Sequence, residues 1–278
     1  KAWAKSPRPD EVSLWKSMPP EEQDRFDHLM ATYAAVVHRM DQAVGDLVAG
    51  LKQRGVLDNT LLFFMSDNGG NAESGPKGRT VGDPTRADSD WFCGMSWAFV
   101  ENTPFRLFKH YNHEGGIATP LIVHWPAGIA AKGEWRTQPA HLIDIMATCV
   151  EVGGARYPAE FNGKPIVPLE GRSLLPAFDN KPIERDALYW EHEGNAAVRV
   201  GDLKLVRRGR NGAWELYDMK TDRTELRDLA SARPEQAKEL AAKWEAWALR
   251  THVKPYPGEG AGGKTQKRHK KKRQAVAQ

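Results

Sequence analysis

Cysteine is scarce in this 278-residue chain, with Cys93 and Cys149 as its two examples. Two isolated thiols give neither a disulfide framework nor metal-ligand spacing, so they decide nothing about compartment. Also lacking is any apolar run near the ~20 residues that a membrane-spanning helix needs. Lys1-Ala2-Trp3-Ala4-Lys5 has no apolar core of the kind that opens a secretory leader. The first residue is not Met, and the expectation is that upstream sequence was lost by processing or truncation. Acidic residues are missing from Lys264–Arg273, KTQKRHKKKR, which holds seven Lys and Arg. The net charge of +4 is therefore +4 − 7 = −3 outside that segment. A mildly acidic body with a basic tail is the result. Such tails are usually solvated and disordered, and binding of nucleic acid or an anionic membrane is the minority reading. No nucleic-acid partner is expected.

What is present suffices for one large domain, or one and a half. Residues 1–22 hold four prolines and read as an irregular entry, at whose end Pro19-Pro20-Glu21-Glu22 has the chemistry of a helix N-terminus. Phe26, Leu29, Met30, Tyr33, Val36, Val37, Met40, Val44, Leu47, Val48 and Leu51 then recur at steps of three and four. That spacing predicts a long amphipathic helix ending at Gly55. Asp58-Asn59 turns the chain into an apolar run, Leu61–Met65, read as a strand covered on both faces. Helix, short turn and strand form one arm of a doubly wound α/β sheet.

The run ends in Ser66-Asp67-Asn68-Gly69-Gly70. In open α/β sheets ligands bind outside the carboxyl ends of the strands. Asp67 and Asn68 offer side-chain oxygens there, and hard cations such as Ca²⁺ or Mg²⁺ take oxygen ligands. The same residues are also ordinary turn chemistry, so both readings stand. Residues 71–104 are rich in Gly, Pro, Ser, Asp and Arg and read as a long loop. A second strand is predicted at Pro120–Trp125 and a helix at 139–152.

Composition shifts near Pro176–Arg185. Short strands follow at Ala187–Trp190, Ala196–Val200, Leu203–Arg207 and Trp214–Tyr217, with Gly201-Asp202 and Asn211-Gly212 as turns. A helix from Pro234-Glu235 carries Leu240, Trp244 and Trp247 on one face. The expected domains are 1–180, an α/β portion; 186–252, a small antiparallel α+β unit; and 253–278, a disordered basic tail. Gly258, Gly260 and Gly263 spell G-x-G-x-x-G, but neither strand nor helix flanks them, so no nucleotide loop is read. His113-Glu114 and His192-Glu193 lack the second histidine of a zinc helix.

SDNGG after a strand, NTPFRLFKHYNHEGG and IATPLIVHWPAGI together resemble the type I sulfatases of the alkaline phosphatase superfamily. LYWEHEGNAAVRVGDLKLVRRG and WELYDMKTDRTELRDLA are similar to that family's C-terminal sheet, and the resemblance covers roughly residues 20–250. Bacterial arylsulfatases are the expected relatives. The resemblance implies part of an alkaline-phosphatase-like doubly wound sheet and hydrolysis of a sulfate ester. The substrate would be a small molecule or a sulfated carbohydrate. It implies Asp67 and Asn68 as ligands of Ca²⁺, with Mg²⁺ less often, and Lys109 as the lysine that contacts the sulfate. A loop lysine can neutralise a sulfate oxygen; alone, Lys109 would read as a surface lysine. For His110 and His113 a structural role is preferred over lining the site, and Glu114 with its glycines is taken as a backbone device.

The family's nucleophile is a formylglycine made within C/S-x-P-S-R. Neither Cys93 in F-C-G-M-S nor Cys149 in T-C-V-E-V fits that pattern. The paired aspartates of the family's first strand have no counterpart either. The resemblance therefore implies the C-terminal part of a sulfatase, inactive alone, from a periplasmic or secreted protein. A phosphodiesterase or phosphonate hydrolase of the same superfamily is one alternative. A non-catalytic module that binds a polyanion through the basic tail is another.

Overall fold

The computed structural model describes residues 3–254 and Tyr256. In chain order these form α1 (Pro20–Gln53), β1 (Leu62–Met65), β2 (Arg79–Val81), β3 (Asp90–Phe92) and α2 (Gly94–Glu101). There follow α3 (Glu114–Ile117), β4 (Leu121–His124), α4 (Ile143–Val152), β5 (Glu160–Phe161), β6 (Lys164–Pro165) and α5 (Leu175–Phe178). The last elements are β7 (Leu188–His192), β8 (Asn195–Val200), β9 (Leu203–Arg207), β10 (Glu215–Asp218) and α6 (Pro234–Arg250). Among the described residues two compact units result: 3–109 together with 113–188, and 110–112 together with 189–254 and Tyr256. None of the described helices is long and apolar enough to cross a membrane.

In the first unit α1 begins where Pro20 presets the backbone, with Glu21 and Glu22 in its first turn. Gly55, at φ +68°, accepts the left-handed turn that follows its end. β1 pairs with β4 antiparallel, Leu62 opposite His124 and Met65 opposite Leu121. The expected cover on both faces of that strand is not found among the described residues. Phe64 is 42% exposed and Ile122 61%. The apolar stripe of α1 behaves likewise: Phe26 and Leu29 are buried, but Val36 is 63% exposed and Leu47 58%. The start of α1 is where its buried apolar residues lie, and there Trp97 donates to the Phe26 carbonyl and Arg25 to that of Lys77.

The segment read as one long loop is in fact partly ordered. It contains the hairpin β2–β3 and the helix α2. Three-residue strands carry too little alternation to announce themselves in a sequence.

Asp144 is the polar anchor of the first unit. It is fully buried on α4 and takes hydrogen bonds from the backbone N–H groups of His141 (2.7 Å) and Arg172 (2.8 Å). Arg185 closes on it with both terminal nitrogens, at 3.3 and 2.7 Å. A bidentate guanidinium–carboxylate pair of this kind satisfies a buried charge on several sides.

The second unit is a four-stranded sheet in the order β10-β9-β8-β7, with α6 across it. Ala197, Val206, Tyr217 and Met219 form one core cluster. The Trp244 ring is fully buried on α6 and its indole N–H donates to the Trp190 carbonyl at 3.0 Å. Each fully buried Leu or Val of this sheet contributes roughly 1.5–3 kcal/mol. Lys204 and Glu225 form an ion pair at 2.9 Å with both side chains shut off from solvent. The tail expected to be disordered, 253–278, is held by specific contacts at its start. Lys254 pairs with Glu245 at 2.7 Å, and Tyr256 is buried, accepting a hydrogen bond from Arg207. The rest of the basic tail, with Gly258, Gly260 and Gly263, lies outside the described residues.

Two predictions follow from these anchors. Glu225→Ala removes one partner of a buried ion pair and is expected to cost about 3–5 kcal/mol in urea unfolding, whereas replacing both partners by apolar residues recovers most of that loss. The second concerns His141, whose pKa burial pushes down; nearby Arg185 adds to this and Asp144 opposes it. The Ile143 N–H also donates to its Nδ1 at 3.3 Å, which requires that nitrogen to be unprotonated. The unfolded chain then binds the proton more readily, so this contribution is present above pH ~6.5 and is lost as pH falls below it. His141→Asn is expected to flatten the slope of unfolding free energy against pH in that range.

Candidate functional site

β1 delivers the chain to Ser66-Asp67-Asn68-Gly69-Gly70, and what holds this turn is the backbone of a second glycine pair. The Gly69 N–H donates to the Gly116 carbonyl at 3.1 Å. A Cβ on Gly69 would lie 1.8 Å from the Gly115 carbonyl oxygen. Gly115 in turn donates to the Arg106 carbonyl at 2.8 Å, and its own Cβ would lie 2.1 Å from the Leu107 oxygen. Main chain packs on main chain at both places, and only glycine permits that approach.

Asn102 ties the same two segments. Its Oδ1 accepts from the Gly70 N–H at 2.9 Å and its Nδ2 donates to the Leu107 carbonyl at 3.0 Å. Lys109 then docks on the turn directly, its N–H donating to the Gly70 carbonyl at 3.0 Å. The Lys109 ammonium meets Glu73 Oε2 at 3.0 Å, with the lysine about one-third exposed. Leu107, at φ +64°, takes up the left-handed bend just before it. Non-glycine residues held there store strain, and such residues cluster at functional sites.

The structure thus brings Asp67, Asn68 and Lys109 to one set of interlocked loops. Asp67 is exposed and Asn68 half-buried. Ser66 Oγ bonds the Asn68 carbonyl at 2.7 Å, which closes the turn while leaving both side-chain oxygens out of its internal hydrogen bonding. A carboxylate and an amide oxygen side by side fit a hard divalent cation, as part of a shell of six or more oxygens. His113 and Glu114 are buried at the start of α3. His110 belongs to the other unit.

Glu73 and Asn102 escaped sequence reasoning. Asn102 heads the NTPFRLFK block and could have been found there; Glu73 sits in a stretch with no pattern. Cys93 is a poor nucleophile. Burial, with Glu101 close by, pushes Cys93 up to about 11, where the reactive thiolate is scarce. Cys149 is exposed on α4.

Gly115→Ala is expected to force the 105–109 segment off the Asp67–Gly70 turn. Faster amide hydrogen exchange at Gly69 and Lys109, with the second unit's exchange unchanged, is the readout.

The family described as Sulfatase matches residues 5–155, and that described as N-sulphoglucosamine sulphohydrolase, C-terminal, matches residues 105–246. An uncharacterized sulfatase of Schizosaccharomyces pombe is 31% identical over 88% of this chain and 48% of its own length. An arylsulfatase of Klebsiella aerogenes is 32% identical over 58% of this chain and 37% of its own. The chain therefore spans less than half the length of these relatives. The crystal structure of Ps i-CgsB in complex with k-i-k-neocarrahexaose shares the fold. Its TM-score is 0.61 at 24% identity, over 84% of this chain and 44% of that one.

Proposed function

The chain belongs to the type I sulfatase family of the alkaline phosphatase superfamily, and on that premise we propose that it carries the cation-binding and sulfate-binding part of a sulfuric ester hydrolase. The reaction cleaves a sulfate ester with water to give sulfate and an alcohol or phenol. Asp67 and Asn68 would hold Ca²⁺, or Mg²⁺ in its place. When bound, such a cation supplies positive charge against the sulfate oxygens.

Lys109 is assigned to the sulfate itself. The observation that supports this is its double attachment to the Asp67–Gly70 turn, through its own N–H on Gly70 and its ammonium on Glu73. An ammonium has three donors, so Lys109 can keep Glu73 and still reach an incoming oxyanion. Glu73 holds the side chain over the loop in the absence of substrate. As the ester bond breaks, negative charge grows on the departing oxygen and on the sulfate. A fixed positive charge there stabilises that state more than the ground state.

The nucleophile is assigned to sequence outside these 278 residues, because no C/S-x-P-S-R segment occurs within them. Aryl sulfates and sulfated carbohydrates are both proposed substrates, and a periplasmic or secreted setting goes with this reading.

The purified chain is expected to leave para-nitrophenyl sulfate untouched in the presence of Ca²⁺. Co-expression with the N-terminal half of a relative and a formylglycine-generating enzyme should produce turnover. In that complemented enzyme Lys109→Ala is expected to lower turnover by roughly 10²–10³-fold. Asp67→Ala should weaken Ca²⁺ binding in calorimetry more than Asn68→Ala, since it removes a charge rather than a dipole. Turnover by the chain alone, lost in Lys109→Ala, would show a nucleophile inside it; a para-nitrophenyl phosphate arm tests the phosphate-ester alternative.

A further inference from the structure

The second unit holds a separate cluster that this reading does not use. β7 ends at His192, and the chain turns through Glu193 at φ +49° and Gly194 at φ +93° into β8. The turn is closed by the Gly194 N–H donating to Glu191 Oε1 at 2.7 Å. A Cβ on Gly194 would lie 2.6 Å from Arg210 Cγ, so the tight path depends on glycine. This path sets His192 and Glu193, adjacent in sequence, toward one neighbour, His110.

His110 itself is held at φ +90°. Its Nδ1 lies 3.5 Å from Glu193 Oε2, and its ring stands edge-on to that of His192 with centroids 5.3 Å apart. One ligand atom from each of the three side chains falls within 4.8 Å of the other two. We propose that His110, His192 and Glu193 form a binding site for a divalent transition metal of the Zn²⁺ type.

Two imidazoles and a carboxylate are a zinc donor set, and they leave a fourth position for water or an exogenous ligand. With zinc bonds near 2.0–2.1 Å, tetrahedral ligand atoms stand roughly 3.4 Å apart. The His110–Glu193 pair is already near that separation, and the His192 ring beside it is exposed. The set is too rich in nitrogen for Ca²⁺ or Mg²⁺, which take oxygen.

The support beneath the cluster is the second observation. Asn195 is buried, and its Nδ2 donates both to the His110 carbonyl (3.1 Å) and to the His192 carbonyl (3.0 Å). Its Oδ1 accepts from the Gly209 N–H at 2.9 Å. One buried amide therefore locks together the backbones of two histidines 82 positions apart in sequence (192 − 110). An ion pair between Glu193 and a protonated His110 would not need His192; a metal needs all three.

The test is a zinc titration of the whole 278-residue chain by calorimetry, repeated in excess Ca²⁺. One saturable Zn²⁺ per chain, undisturbed by Ca²⁺, is expected. His110→Ala and His192→Ala should each weaken it at least tenfold. Glu193→Gln, at an exposed position where folding is not at stake, should weaken it several-fold with an unchanged melting profile. Asn195→Ala should also weaken zinc without removing any ligand, by about 10–100-fold. Absence of saturable binding, displacement by Ca²⁺, or an affinity unchanged in the His110→Ala/His192→Ala double variant would overturn the proposal. None of these results depends on whether the chain takes part in sulfate ester hydrolysis.

Discussion

The close approach of two glycine-bearing backbones is the constraint on which the loops carrying Asp67, Asn68 and Lys109 depend. Gly69 lies against Gly115, and Gly115 against Leu107, at distances that no side chain allows. That contact sets how near Lys109 comes to the end of β1. It also explains why two glycine pairs, far apart in sequence, are needed at once. Asn102 fills the remaining hydrogen-bonding demand of both segments with one side chain. The result is a cation-compatible pair of oxygens and an ammonium carried by rigid main chain rather than by side-chain packing. Rigid placement matters because electrostatic stabilisation works best when its dipoles need no reorganisation.

Each unit also rests on a buried charge that is fully accompanied. Asp144 gathers two backbone N–H groups and both terminal nitrogens of Arg185. Lys204 and Glu225 meet inside the second unit, where Arg207 also lies over the rings of Trp214 and Trp244. Such pairs need not add net stability over an apolar core, but losing one partner is costly. By contrast, the middle of α1 and the outer faces of Phe64 and Ile122 carry apolar surface that nothing among the described residues covers. The apolar periodicity that made α1 legible thus reports a face built for burial, whether or not its cover is present.

Regular elements with a long period were readable in advance. α1 begins at Pro20, inside its predicted Pro19-Pro20-Glu21-Glu22 start signal, and the strand run from β7 to β10 falls within two residues of its expected limits. Apolar spacing and turn residues are local properties, and they act over a few neighbours. The hairpin β2–β3 and the helix α2 were not readable, because three-residue strands and an apolar eight-residue helix carry no distinctive period.

By itself the sequence determined that Asp67 and Asn68 close a strand, that Lys109 sits in a motif of a known family, and that the C-terminal unit is an antiparallel sheet with one helix. Tertiary structure alone decided that Lys109 is tethered to Gly70 and Glu73, and that Asn102 bridges the loops. It alone brought His110 within reach of His192 and Glu193, two residues that pattern reading had set aside as a failed zinc helix. The reason is physical. Spacing along a helix or strand is written in consecutive residues, whereas a meeting of distant loops depends on backbone paths that only the closed fold defines.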